Sequence, residues 1–173
     1  VDSLGTAQLA RWGITPADAE RAGVFFTPSA RTIYEDMADR PGLVIPYYMP
    51  DHSYRTFTRG GVVLPYARIR WLGADPKEHA SFTKHKPVRY TQPKGTPVAP
   101  YFWPGADWPL ILGDAQYPLI ITEGEAKAIT GCIAGFTVVA LGGVYSFTDS
   151  SGEMLAELDR IKWEGRDVYV VYD

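Results

Sequence analysis

The spacing of hydrophobic positions changes twice along the chain. Residues 1 to 41 carry short helical patterns. In TPADAERAG, Thr15 stands as N-cap, Pro16 at the first helical position, Asp18 in the first turn and Gly23 as the stop. SARTIYEDMADRPG repeats the scheme, with Ser29 as cap and Pro41-Gly42 as terminator. From Gly42 the pattern shortens to alternating or β-branched runs, GLVIPYY, YRTFTR, VVLPYARIRWL and VRYTQP, separated by Pro, Gly and Asp. This predicts a strongly twisted antiparallel sheet with loops. In YARIRWL the period of two puts Arg68 and Arg70 on one face and Ala67, Ile69 and Trp71 on the other. The two guanidinium groups then point the same way, about 7 Å apart along the strand.

After a connector rich in turn residues, ADWPLILGDAQ at 106 to 116, the pattern becomes β-α-β-α-β. Strand PLIIT leads into helix EAKAITGCIAG, strand TVVAL, the turn GGVYSF, helix SSGEMLAELDRIKW and strand DVYVVYD. The second helix sets Met154, Leu155, Leu158 and Ile161 at helical spacing, with Asp149, Ser150 or Ser151 available as cap. Short connections and right-handed crossovers make the three strands parallel.

Composition narrows the class. The chain has 173 residues, 46% of them hydrophobic, enough for one large domain or two small ones. A single cysteine, Cys132, excludes a disulfide framework and a Cys-rich zinc ribbon. No apolar run approaches about 20 residues and no secretory leader pattern is present, so we expect no membrane partner and a cytoplasmic location. Val1 at the start and Asp173 directly after an apolar run lead us to expect a piece of a longer protein.

The net charge of −3 argues at first against a nucleic-acid partner, but it is unevenly spread. Between Gly42 and Gly105 stand nine bases (Arg55, Arg59, Arg68, Arg70, Lys77, Lys84, Lys86, Arg89 and Lys94) against three acids, together with all three histidines and eleven aromatics. The rest holds eight bases and seventeen acids. Bases interleaved with aromatics suit a surface that tracks phosphates and stacks bases. A half-buried sheet with solvated Lys and Arg would carry the same pattern.

The oily run at Leu119 to Ile121 stops at Thr122 and presents Glu123-Gly124-Glu125. If the strands are parallel, Glu123 and Asp173 lie at C-terminal strand ends on one sheet edge, where open α/β sheets bind ligands. Two carboxylates there suit a hard divalent ion, Mg²⁺ or Mn²⁺, that serves phosphoryl transfer by neutralising charge and orienting the attacking oxygen. Gly142-Gly143 would let the backbone approach a ligand at the same edge, or form a simple tight turn. Lys127, on the first turn of the following helix, faces either a phosphate site or water. Cys132 reads as core.

LIITEGEAKA, GFTVVALGGV and VYVVYD together resemble the three signatures of a TOPRIM domain, the metal-binding module of bacterial-type primases, type IA and type II topoisomerases and certain nucleases. The resemblance implies a catalytic or metal-holding Glu123 followed by Gly124, and Asp173 as the first metal-binding aspartate of an Asp-x-Asp pair. Upstream, GLVIPYYMPD, RIRWL and KPVRYTQPKGTPVAPYF resemble the part of primases that precedes the TOPRIM core and lines the template groove. The likeness is stronger still to the TOPRIM-like domain at the front of phage and plasmid primase-helicase proteins. It implies that Arg68, Arg70, Arg89, Tyr90 and Lys94 contact template or triphosphate. Arg89 stands where the family has lysine, Asp51-His52 lacks the expected glycine turn, and the zinc module of many primases is absent.

The expectation is an α+β N-terminal subdomain, short helices plus a twisted antiparallel sheet, followed by an incomplete TOPRIM-like α/β core with parallel strands. The divisions fall at a helical lead-in over 1–41, a basic, aromatic-rich β subdomain over 42–110 and the core over 111–173. The function implied is that of a primase from a mobile element, joining nucleoside triphosphates on single-stranded DNA with Mg²⁺ or Mn²⁺, beside a helicase domain or subunit. Two other readings stay open: a non-catalytic DNA-binding module that tethers or loads a helicase, and a TOPRIM nuclease.

Overall fold

In a computed structural model, residues 2–73 and 88–172 are described. Two helices open the chain, α1 (Ser3–Arg11) and α2 (Pro16–Arg21). In α2 the capping box forms as expected. Thr15 accepts from the Asp18 amide, and the Asp18 carboxylate accepts from the Thr15 amide. Gly23, at φ +68°, then turns the chain out.

Strands β1 (Phe25–Thr27), β2 (Gly42–Pro46), β5 (Ala67–Trp71) and β6 (Tyr90–Thr91) form an antiparallel sheet in the order β1-β2-β5-β6. A separate hairpin pairs β3 (Thr56–Arg59) with β4 (Val62–Pro65). Strand β7 (Tyr101–Phe102) and helix α3 (Trp108–Gly113) then lead to β8 (Leu119–Glu123), α4 (Glu125–Ile133), β9 (Val138–Leu141), the short helix α5 (Ala156–Asp159) and β10 (Val168–Val171). In the second sheet, ordered β10-β8-β9-β7, the β10-β8 and β8-β9 pairs are parallel, and β7 runs antiparallel to β9. The fold is therefore mixed α and β, with antiparallel sheets and one sheet containing parallel strands. Among the described residues no helix is long and apolar enough to cross a membrane.

A continuous core joins the two four-stranded sheets. Leu43 and Ile45 from the first, with Tyr47 just after β2, share it with Tyr101, Leu119 and Val139 from the second and Ile129 of α4, and Trp108 of α3 is fully buried with them. The opposite face of the first sheet makes a smaller cluster of Val44, Ala67 and Ile69 with Tyr34 and Met37. The alternation in β5 thus reads as its sequence predicts: Ala67 and Ile69 enter the small cluster while Arg68 and Arg70 look the other way.

Two expected helices are replaced by turns. Residues 29 to 41 contain one 3-10 turn, Ala30–Thr32, and then fold back, with the Ala30 amide donating to the Arg40 carbonyl. Tyr34 is the cause: its hydroxyl donates to the Pro65 carbonyl at 2.7 Å and accepts from the Ala67 amide at 2.8 Å, which draws the segment onto β4 and β5. Between 149 and 163 only α5 is helical. Asp149 is used as a cap, but of a turn, accepting from the Ser151 and Glu153 amides, and Gly152 sits at φ +90°. Leu155, Leu158 and Ile161 are still buried, whereas Met154 is exposed.

Candidate functional site

The first sheet meets the second at the C-terminal ends of the parallel strands. β8 ends at Glu123, whose register partner on β9 is Leu141, and the Gly124 amide donates to the Leu141 carbonyl at 3.0 Å. Gly124 itself has φ +82° and ψ 135°, a conformation that leaves the Glu123 side chain at the edge while the chain turns into α4. The Glu123 carboxylate is one-third exposed and lies 3.9 Å from the Lys127 ammonium, one turn further along α4.

Glu125 goes the opposite way. It is 1% exposed, and its Oε1 accepts from Arg68 Nη1 at 2.7 Å and from the Tyr47 hydroxyl. This pair ties β5 and β2 to the start of α4. Arg68 is consequently held at the sheet edge, where a Cβ placed on Gly142 would lie 3.4 Å from its Nη1. Burial is the largest single influence and opposes the Arg68 charge, but the Glu125 carboxylate and the Tyr47 and Tyr66 hydroxyls together outweigh it and keep the guanidinium protonated. Burial, reinforced by the Glu125 charge, likewise raises the Tyr47 hydroxyl well above its ordinary range.

Tyr90 of β6 is held between the two arginines, with Arg68 at 5.2 Å and Arg70 at 5.1 Å from its ring centre. Burial and then the nearby Glu125 charge push its hydroxyl up to about 12, so it remains a proton donor at neutral pH. Arg70 donates to Gln8 Oε1 of α1 at 3.4 Å and to the Arg89 carbonyl at 3.5 Å. Burial lowers its affinity for a proton, and Arg89 and Arg11 add repulsion. Arg89 is exposed beside it.

The residues singled out from sequence fall into separate places. Arg68, Gly142 and the Glu123-Gly124 turn share the sheet edge, and Gly143 follows, its carbonyl accepting from the Ser146 amide. Lys94 lines a different cleft of about 340 Å³ with Arg55, Arg59 and Tyr66. Asp173 lies outside the described residues, as do Lys77, Lys84 and Lys86. Glu125 and Tyr47 were given no role by the sequence, although the second acid of Glu-Gly-Glu was the available signal. Arg166 was missed altogether: buried, it donates to the carbonyls of Ile111, Leu112, Tyr117 and Lys162, binding α3 to the approach to β10.

Of the two carboxylates expected to hold a divalent ion, Glu123 is partly exposed at a strand end with the Lys127 ammonium 3.9 Å from it, and Asp173 lies outside the described residues. Among the described residues no group of three His, Cys, Asp or Glu side chains is gathered in one place.

Comparison with known proteins bears on the fold. A family model described as a domain of unknown function (DUF3854) matches residues 107–173. No curated protein matches the chain. The crystal structure of the RNA polymerase domain of Mycobacterium tuberculosis primase DnaG superposes with a TM-score of 0.58 at 17% identity, covering 98% of this chain and 58% of that one. The chain thus spans little more than half the length of that domain, and over that length it shares the fold of a bacterial primase RNA polymerase domain.

Proposed function

We propose that the chain is a primase-type nucleotidyltransferase core of TOPRIM kind, which joins nucleoside triphosphates on a single-stranded DNA template in the cytoplasm of a bacterial host. The observation that carries this reading is the meeting of the arginine face of β5 with the strand edge that presents Glu123, fixed by the Arg68–Glu125 ion pair at 2.7 Å. An arginine face that meets a strand edge with a partly exposed carboxylate suits a reaction in which phosphate charge is held while an attacking hydroxyl loses its proton. In this reading 42–110 forms the groove, 111–173 the core and 1–41 a lead-in.

Glu123 would hold Mg²⁺ or Mn²⁺ together with Asp173, and the ion would supply charge neutralisation on the triphosphate. Arg68 and Tyr90 would position template or triphosphate at the edge. Arg70 and Arg89 continue the cationic face away from it, and Lys94 would serve the separate cleft beside the β3-β4 hairpin. Gly124, Gly142 and Gly143 would leave room for close backbone approach. A helicase, as a further domain or subunit, would be the working partner of such a core in a phage or plasmid replication protein.

The test is primer synthesis on single-stranded DNA with labelled triphosphates and Mg²⁺ or Mn²⁺, by the protein and its Glu123→Gln variant. We expect metal-dependent products that fall by about 100-fold or more in the variant. One observation favours a second reading, a DNA-binding module that tethers a helicase without catalysis: the Lys127 ammonium, 3.9 Å from Glu123, offers that carboxylate a partner other than a metal. Tight DNA binding with no products from either protein would decide for that module.

A further inference from the structure

Helix α1 carries one cationic side chain, Arg11, that the sequence did not connect with the arginine strand. It is bonded to both halves of the site. Gln8 accepts from Arg70 Nη2 of β5 at 3.4 Å, and the Trp12 carbonyl accepts from Thr130 Oγ1 of α4 at 3.0 Å. Two clefts flank its C-terminal end. The first, about 300 Å³, is lined by Leu4, Gln8, Arg11, Arg70 and Trp71 among others, and the second, about 430 Å³, by Arg11, Trp12, Lys127 and Thr130. Arg11 belongs to both. Among the described residues neither cleft has a carboxylate in its lining, although the Glu123 carboxylate lies 3.9 Å from the Lys127 ammonium.

The cations therefore form a line. It starts at Arg89 and Arg70 on the first sheet, crosses α1 at Arg11 and reaches Lys127, one helical turn from Glu123. The half-buried Trp12 ring adds an aromatic wall in the second cleft, of the kind on which a base stacks. We propose that the C-terminal end of α1 is a phosphate-holding subsite, in which Arg11 binds the backbone of single-stranded nucleic acid and Trp12 packs against a base as the strand passes from the arginine face toward Glu123. The subsite rests on the reading of the chain as a DNA-templated or DNA-binding module, and extends it to a helix outside the sheet edge.

Arg11 also stands in the last turn of α1, where a cation favours the helix dipole. The experiment separates that contribution from phosphate binding. Binding of a labelled single-stranded oligonucleotide is measured by fluorescence anisotropy across a salt series, for the parent chain, Arg11→Gln, Arg11→Lys and the control Arg31→Gln, an exposed arginine away from both clefts. Loss of one phosphate contact lowers the slope of log K against log salt by about 0.7, which is about eightfold in affinity at 50 mM salt. We expect this in Arg11→Gln alone, with recovery in Arg11→Lys. Thermal unfolding of the same proteins reads the dipole contribution.

An unchanged slope in Arg11→Gln overturns the proposal, as does an equal loss in Arg31→Gln, or no binding of the oligonucleotide by the parent. A loss of labelled triphosphate binding in Arg11→Gln with DNA binding intact also overturns it, since the subsite would then serve the nucleotide. Failure of primer synthesis leaves the slope test untouched, so the catalytic reading and the subsite stand or fall separately.

Discussion

Removing the Glu125 carboxylate would leave the Arg68 guanidinium in a largely buried position without its acceptor. The acid is 1% exposed and the base 14% exposed, so water can replace little of the lost interaction. Taking one partner from a buried pair costs about 3–5 kcal/mol. We expect Glu125→Ala to lose that much stability in urea unfolding. The double variant Glu125→Leu with Arg68→Met should recover most of it, because no charge is then stranded. Equal losses in the single and double variants would show that packing, and not the charge, holds this contact. Glu123, two residues earlier, should behave differently: its carboxylate is one-third exposed and its Lys127 partner lies at 3.9 Å, so Glu123→Gln should leave stability within about 0.5 kcal/mol of the parent.

At the scale of elements, the turn between β8 and α4 decides which acid faces out and which faces in. Gly124 makes that turn at φ +82° and ψ 135°, outside the regions that L side chains adopt readily, although a Cβ there would meet no atom within 4 Å. Gly124→Ala therefore tests backbone conformation free of steric clash. It should cost about 1–3 kcal/mol, read by denaturant unfolding, and a loss under 0.5 kcal/mol would mean the turn relaxes without strain. The same element scale explains the two helices that became turns. In each, a side-chain hydrogen bond competes with the helix: Tyr34 reaches Pro65 and Ala67, while Asp149 gathers nearby amides.

For the molecule as a whole, burial sets the pH range of stability. Burial raises Tyr34, Tyr66 and Tyr90 from an ordinary 10.0 to about 12, and Cys132 from 9.0 to about 11. Each is held neutral in the folded chain, so its contribution is complete below its unfolded value and is lost as pH rises through its folded one. Stability should fall from about pH 9 upward, first with Cys132 and then with the tyrosines. On the acid side, hydrogen bonds lower Asp18 (from Thr15), Asp36 (from Arg59), Asp51 (from Ser53) and Asp149 (from Ser151), so their contribution is present above 3.8 and fades below it. Asp36, Asp51 and Asp149 are surface groups and their share is small. Urea midpoints measured from pH 3 to 11 should form a plateau with a steeper alkaline fall. A midpoint that holds through pH 11 would contradict it.

Local chemistry wrote much of this fold into the sequence. The Thr15 capping box, the alternation in β5 and the aliphatic runs of β8, β9 and β10 follow from side-chain periodicity and backbone preference, which act over a few residues. Glu123 at a strand end was legible for the same reason. Tertiary structure alone decided that Arg68 spends its charge on Glu125, that Tyr34 unmakes a helix, that Arg166 bonds four carbonyls, and that α1 lies across the cationic line. Apart from the Lys162 carbonyl, four residues from Arg166, these depend on partners 31 to 62 residues apart, and no pattern within a single element records a distance of that kind.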